Sequence, residues 1–172
     1  MYENVENLND IEQLSKAIGE VLIEQACTVS AAESCTGGLV MKYLSDIPGS
    51  SRYLAGGVVS YSNEVKNSLL GVPQDILDHY GAVSEQTAQL MAQGVKRITG
   101  TSFGIGITGI AGPDGGSELK PVGLVYIAVC GPESTEWQKY TFPGSRSQVR
   151  NKAAEKALNM FRKHLMLLQK DN

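Results

Sequence analysis

The chain has 172 residues, of which 42% are hydrophobic and 19% are charged. This length fits one domain, and the composition is that of a globular protein, which excludes a disordered chain. The formal net charge is −3, so the chain lacks the basic surplus typical of a nucleic-acid binder. We therefore expect no nucleic-acid partner.

Membrane, disulfide and metal signals are also missing from the sequence. No apolar run approaches the roughly 20 residues that a membrane helix needs, and residues 1–10 are acidic and polar, unlike a signal peptide. The three cysteines are far apart and form no CxxC pair, which argues against a disulfide framework and a zinc ribbon. We expect a cytoplasmic protein with no membrane partner, no metal and no cofactor.

Apolar periodicity and turn residues predict alternating helices and strands in the first part of the chain. In chain order these elements are a helix over 8–25, a strand over 27–32, a polar break at 33–38, a helix from Leu39 that ends at Pro48-Gly49, a strand over 53–61, short helices from Ser62 or Asn63 to Leu70 and from Pro73, and a longer helix from Ser84 to Thr99.

The second part of the chain predicts three strands and a final helix. They are strands over 102–109, 122–129 and 135–142, with a turn at Gly131-Pro132 between the last two, and a helix over 147–168. Early alternation followed by adjacent strands predicts an α/β fold: a three-layer α/β/α sandwich with a mixed sheet, in a single domain. We expect this domain to span residues 8–168, with short tails at 1–7 and 169–172.

Three polar or glycine-rich loops, 33–38, 61–66 and 109–121, begin at the predicted ends of strands. In sheets of this kind, sites form where loops leave the carboxyl ends of strands. Ser34 precedes a helix whose free N–H groups stabilise negative charge, an arrangement that suits acyl transfer. An ordinary helix cap explains the same pattern, and Cys35 is a rival nucleophile.

A serine nucleophile needs a base, and the candidates are few. The two histidines, His79 and His164, are expected to be solvated surface residues, so a Ser-His-Asp triad is disfavoured. Lysine can serve as the base when burial lowers its pKa, and Lys66 follows a predicted strand end. Taken alone, Lys66 also fits a solvated helix lysine.

Glycines dominate the stretch that follows the third predicted strand. Residues 104–109 match GxGxxG, but the motif occupies a strand instead of opening a helix, so we interpret the match as accidental. The loop after it is interpreted as a binding loop, because its backbone can approach an anion or a ring. Arg146, with Arg150 one turn further on, could bind a phosphate or carboxylate or lie on the surface.

Five segments together resemble the CinA C-terminal family, in the family's order and spacing, from about residue 8 to 168. They are Ala32-Glu33-Ser34-Cys35-Thr36-Gly37-Gly38, Tyr61-Ser62-Asn63-Glu64-Val65-Lys66, Gly81-Ala82-Val83-Ser84-Glu85, Thr108-Gly109-Ile110-Ala111-Gly112-Pro113-Asp114-Gly115-Gly116 and Lys120-Pro121-Val122-Gly123. Each segment alone identifies the family only weakly, but the five segments in this order identify it specifically.

The resemblance implies an activity. Stand-alone members of the family hydrolyse the amide of nicotinamide mononucleotide (NMN) with a Ser/Lys dyad and no metal. Carried over, Ser34 would be the nucleophile and Lys66 its base. The resemblance places Tyr61, Thr108, Gly109 and Arg146 on the substrate side. From helix geometry we expect the backbone amides near Thr36 and Gly37 to hold the oxyanion. The implied partners are a small NMN-like nucleotide and, by family analogy, a second copy in a homodimer.

One departure from the family keeps an alternative open. The family has Gly-Asp-Arg where this chain has Gly144-Ser145-Arg146. Loss of the acid is expected either to leave Arg146 less well oriented or to alter the electrostatics of the ribose-phosphate site. The alternative is a paralogue that lacks activity on NMN and binds another nucleotide or acts as an interaction module.

Overall fold

Six α-helices and five β-strands make up residues 10–168, the part of the chain that this computed structural model describes. The strands are β1 (Val29–Glu33), β2 (Leu54–Val59), β3 (Phe103–Gly109), β4 (Leu124–Cys130) and β5 (Thr135–Thr141). The helices are α1 (Ile11–Glu24), α2 (Leu39–Ser45), α3 (Asn63–Ser68), α4 (Gln74–Tyr80), α5 (Glu85–Thr99) and α6 (Arg146–Leu168), with a 3₁₀ turn at Ser50–Arg52.

The predicted order of elements is confirmed, and only their boundaries differ. Glu33, expected in a loop, is the last residue of β1 and is buried. The strand expected over 122–129 spans Leu124–Cys130. Residues 8 and 9 of the first predicted helix and the tails at 1–7 and 169–172 lie outside the described residues.

The sheet is mixed, with the strand order β2-β1-β3-β4-β5. β1 pairs in parallel with β2 and β3, whereas β3–β4 and β4–β5 are antiparallel. The last residues of β1, β2, β3 and β5 therefore meet at one edge of the sheet, which we call the carboxyl edge. The loops expected to carry the site all begin there.

Helices cover both faces of the sheet, so the predicted three-layer α/β/α architecture is confirmed. On one face, α1, α2 and α6 bury the larger core, with Phe103, Ile105 and Ile107 of β3 beneath them. On the other face, apolar residues of α4 and α5 pack on β1 and β4. This packing leaves the carboxyl edge free for polar groups.

The GxGxxG match lies inside β3, as the sequence interpretation expected, and its glycines serve close packing. A Cβ at Gly104 would lie 2.1 Å from the carbonyl oxygen of Ala92, and one at Gly106 would lie 2.2 Å from that of Ala88. The backbone of α5 thus rests directly on β3, which only glycine permits.

We expect Gly106→Ala to destabilise the protein by about 3 kcal/mol, because the added methyl group must push α5 off the sheet. Gly100→Ala is the matched control: this glycine has φ +67°, and a Cβ there would have nothing within 4 Å, so only the left-handed backbone costs about 1 kcal/mol. Urea unfolding measures both, and equal losses would contradict the close-packing explanation.

Candidate active-site cleft

An open cleft of about 270 Å³ lies at the carboxyl edge of the sheet. Its walls come from the ends of β1, β2 and β3, from the α4–α5 connection and from the start of α6. The lining residues are Ser34, Cys35, Tyr61, Lys66, Ala82, Val83, Thr108, Gly109, Ile110, Ala111, Gly112, Asp114, Gly115 and Arg146.

Ser34 and Lys66, 32 residues apart in the chain, meet in this cleft. The Lys66 Nζ lies 3.3 Å from the Ser34 Oγ and donates a second hydrogen bond of 2.6 Å to the carbonyl oxygen of Ser60. Ser62 caps α3 by accepting from the amide of Val65, and this cap sets the helix so that Lys66 points into the protein. The serine and lysine are therefore within proton-transfer distance.

Lys66 is buried, with 1% of its surface exposed. Burial lowers the pKa of its ammonium because the charged form loses its hydration, and the neighbouring Cys35 opposes this only in part. Within residues 10–168 no carboxylate forms an ion pair with Lys66. The interpretation of Lys66 as a solvated lysine is wrong, and the group has the environment of a general base.

Cys35 does not have the properties of a nucleophile. Burial raises the pKa of its thiol to about 12, so the reactive thiolate is scarce near neutral pH. Its side chain packs in the larger core beneath α2 and α6. Of the two candidate nucleophiles, the structure favours Ser34.

The N-terminus of α2 is already occupied by a charge of the protein itself. The buried carboxylate of Glu33 accepts hydrogen bonds from the amides of Gly38, Val40 and Met41, at 2.9 to 3.2 Å. A carboxylate at this position is stabilised by the helix dipole. The free N–H groups that the sequence analysis attributed to this helix are therefore not available to a substrate.

Thr36 and Gly37, expected at the oxyanion, do not line the cleft. The Thr36 side chain is fully buried. The Gly37 amide donates to the carbonyl oxygen of Ser34 at 3.1 Å, so it is engaged within the turn. Neither predicted amide is therefore available to an oxyanion in the cleft.

Tyr61 and Arg146 meet at the mouth of the cleft. One Arg146 nitrogen donates to the Tyr61 hydroxyl at 2.6 Å, and another donates to the carbonyl oxygen of Gly112 at 2.8 Å. These contacts join the segments that follow β2, β3 and β5. A guanidinium has five N–H donors, so donors remain for an anionic ligand.

Thr108 and Gly109 line the floor of the cleft at the end of β3. The buried Thr108 hydroxyl donates to the carbonyl oxygen of Ala82 at 2.7 Å, so in this structure it fixes the wall. Lys120, near the end of the glycine-rich loop, donates to the carbonyl oxygens of Tyr80 and Val83 at 2.7 and 2.8 Å. These two side chains tie the α4–α5 connection to β3 and to the glycine-rich loop.

The two histidines differ from each other. His79 is exposed, as expected. His164 was expected at the surface but is only 4% exposed, because α6 carries it against Phe103 and β5. Its Nδ1 lies 3.3 Å from a Glu136 oxygen, and neither histidine lines the cleft.

Ser145 forms a capping box with Gln148 at the start of α6. The Ser145 amide donates to the Gln148 side chain at 2.8 Å, and the Gln148 amide donates to the Ser145 hydroxyl at 3.4 Å. Serine and aspartate are both favourable N-cap residues, so Ser145 caps α6 as an aspartate would. The expectation that loss of the acid misorients Arg146 is not supported, because Tyr61 and Gly112 hold its guanidinium.

Two other kinds of site are missing from residues 10–168. No helix in that range combines the length and apolar character needed to cross a membrane. In the same range, no three histidine, cysteine or acidic side chains come together as a group that would ligate a metal ion.

The fold and the cleft together define an α/β protein with a serine–lysine pair at the carboxyl edge of its sheet. The chain belongs to the CinA C-terminal domain family, whose model matches residues 11–165. The resemblance carried by the five sequence segments is thereby confirmed.

Two relatives with similar sequences are longer than this chain. It is 51% identical over 156 residues to a putative competence-damage inducible protein of Desulforudis audaxviator and 47% identical over 167 residues to a CinA-like protein of Acidobacterium capsulatum. The matches cover 91% and 94% of this chain but only 38% and 40% of those proteins. The chain thus spans about two fifths of these relatives.

Solved structures match over nearly their whole length. The competence/damage inducible protein CihA of Agrobacterium tumefaciens has a TM-score of 0.86 and 39% identity, covering 88% of this chain and 93% of its own. The competence damage-inducible protein A of Klebsiella pneumoniae has a TM-score of 0.89 and 32% identity, covering 92% and 98%.

The buried ammonium makes a prediction about stability. Between its lowered pKa in the folded chain and its ordinary pKa of 10.5, Lys66 binds fewer protons in the folded than in the unfolded chain, so the free energy of unfolding should rise with pH over that window. Lys66→Met removes this dependence. The free energy of unfolding of the wild type, measured in urea, should therefore increase relative to that of Lys66→Met between about pH 7 and about pH 9. Lys152→Met, at an exposed lysine, controls for loss of a lysine as such, and a constant difference would contradict a lowered Lys66 pKa.

Ser145→Asp should leave unfolding free energy and ligand affinity nearly unchanged, because both residues cap α6 and neither is needed to hold Arg146. Ser145→Ala should lose about 1 kcal/mol through the lost cap. Thermal unfolding and isothermal titration with a mononucleotide measure the two effects. A large gain in affinity for Ser145→Asp would show that the serine is a defect.

Proposed function

We propose that this protein is an amidohydrolase that releases ammonia from NMN or a closely related pyridine mononucleotide, with Ser34 as nucleophile and Lys66 as general base. The proposal rests on one observation: a buried lysine with a lowered pKa lies 3.3 Å from a serine hydroxyl inside an open cleft. Burial of an unpaired ammonium is unfavourable for folding, so it requires a functional explanation. Activation of a serine by a desolvated lysine supplies one.

The chemistry balances with water as the only co-reactant. Neutral Lys66 takes the proton of Ser34 as its Oγ bonds to the carboxamide carbon, and the carbonyl electron pair moves to the oxygen. When this oxyanion collapses, the C–N bond breaks and Lys66 returns the proton to the leaving ammonia. Water then cleaves the Ser34 ester by the same route, which gives the free acid.

The polar groups of the cleft suit a nucleotide with a cationic ring. Arg146 supplies spare donors for a phosphate at the mouth. Tyr61 presents an aromatic ring there, 61% exposed, against which a pyridinium could stack. The volume of about 270 Å³ is at the small end for ligand pockets, which favours a mononucleotide over a dinucleotide.

A paralogue inactive on NMN remains the second candidate, because the cleft does not by itself select the base or the amide. The interaction-module version of that alternative is less favoured, since such a module has no need of a buried lysine. Assembly as a homodimer, expected from the family resemblance, stays a prediction for gel filtration to test.

Purified protein should release ammonia from millimolar NMN, and Ser34→Ala should lose the activity to background. Lys66→Arg should do the same, because arginine stays protonated and cannot act as a base. The rate of the wild type should rise with pH through the lowered Lys66 pKa, since the neutral amine is the active form. Ammonia is measured by a coupled enzyme assay, with Lys152→Met as the control for loss of an unrelated lysine.

Two results would contradict the proposal. Ammonia release that survives in Ser34→Ala would exclude the serine mechanism. Absence of release by folded wild-type protein that still binds NMN would assign the cleft to the inactive-paralogue alternative.

A further inference from the structure

Arg150 holds the turn that carries Ser34. It lies on the second turn of α6, 115 positions along the chain from Cys35. Its Nε donates to the carbonyl oxygen of Cys35 at 3.2 Å and its Nη2 to that of Thr36 at 2.9 Å. The planar guanidinium group of Arg150 thus binds the carbonyl groups of the two residues that directly follow the nucleophile.

Most of the other polar backbone groups of this turn are already engaged. The Ser34 amide donates to the Ile107 carbonyl oxygen, the Gly37 amide donates to Ser34, and Glu33 takes the amide of Gly38. The amides of Cys35 and Thr36 differ, because in the described part of the chain neither donates to an oxygen. Both face the Cys35 sulfur, where burial raises the pKa of the thiol and the two amides oppose that rise. Thr36 has no exposed surface, whereas Cys35 lines the cleft. The Cys35 amide, directly after the nucleophile and with only a weakly accepting sulfur beside it, is therefore the one placed to bind a developing negative charge.

Arg150 acts on the Cys35 amide through the backbone of the turn. Its two hydrogen bonds hold the two planar peptide units that follow the Cys35 N–H. With these units held, the direction of the Cys35 N–H is set before a substrate binds. A preorganised N–H is what an oxyanion donor requires.

Gly37 is shaped for this contact. It has φ +60°, and a Cβ there would lie 3.1 Å from the Arg150 Nη2. Glycine allows both the left-handed turn and the close approach of the guanidinium. The role that the sequence analysis gave to Gly37, contact with the substrate, is replaced by support of the arginine.

Resting on the proposed amide hydrolysis, we infer that Arg150 is a positioning residue: it fixes the turn after Ser34, so that the backbone amide of Cys35 is held as the oxyanion donor for attack by Ser34. It does not line the cleft, so it acts through the turn and not by touching substrate. Its loss should therefore lower kcat and leave KM for the nucleotide nearly unchanged.

The first experiment compares Arg150→Ala, Arg150→Lys and the control Lys152→Met in ammonia release from NMN. Removal of the guanidinium group should lower kcat about 100-fold, the usual effect of a misplaced or lost oxyanion donor. Arg150→Lys should restore little, because one ammonium cannot hold two carbonyl groups. Added guanidinium ion at non-denaturing concentration should partly rescue Arg150→Ala but not Arg150→Lys. An unchanged kcat, or a loss confined to KM, would overturn the inference.

A second experiment separates this inference from the proposed function. Pyridine-3-boronic acid forms a tetrahedral adduct with an activated serine, independent of NMN turnover. Its affinity should vanish in Ser34→Ala and fall about 100-fold in Arg150→Ala if the Cys35 amide holds the boronate oxygen. If wild type fails on NMN but this pattern holds, the NMN proposal fails and the role of Arg150 stands.

Equal boronate affinity in wild type and Arg150→Ala, or no Ser34-dependent adduct in wild type, would overturn the role of Arg150. Hydrogen exchange of the amides in residues 34–38 should be faster in Arg150→Ala than in Lys152→Met. If Arg150→Ala does not fold, the same comparisons made on Arg150→Lys, which keeps the charge and most of the packing, decide the question.

Discussion

The ammonium of Lys66 lies inside the protein with a serine hydroxyl and a main-chain carbonyl as its hydrogen-bond partners. Without a carboxylate beside it, the charged form is poorly stabilised. The surrounding structure has to impose this position, and it does so through the cap at Ser62 and the pairing of β1 with β2, which brings the two strand ends together. The other residues of the cleft are arranged around this buried lysine and its serine partner.

The same edge of the sheet carries a second buried charge, and the two have different roles. Glu33 is the last residue of β1, and its carboxylate takes the amides at the start of α2. This contact holds the helix and the nucleophile turn together. It also leaves the amide of Cys35, next to Ser34 in the chain, as the candidate oxyanion donor in place of the helix N-terminus.

α6 completes the site from the far end of the sequence. Arg146 crosses the mouth of the cleft to Tyr61 and Gly112, and Arg150, one turn later, holds the turn after Ser34. Ser145 sets the start of the helix that carries both arginines. A change at this helix end that preserved the cap would leave both contacts in place, which is why the substitution of aspartate by serine is compatible with an intact site.

The sequence by itself determined the order of helices and strands, the three loops that form the cleft and the family, because local periodicity, turn residues and ordered short segments depend only on neighbours along the chain. It also pointed to Ser34 and Lys66, though through the family resemblance. Tertiary structure alone decided that Lys66 and His164 are buried, that Glu33 occupies the helix N-terminus and that Arg150 reaches the nucleophile turn. Those contacts join residues up to 115 positions apart, and only the packing of α6 and the sheet determines which side chains meet.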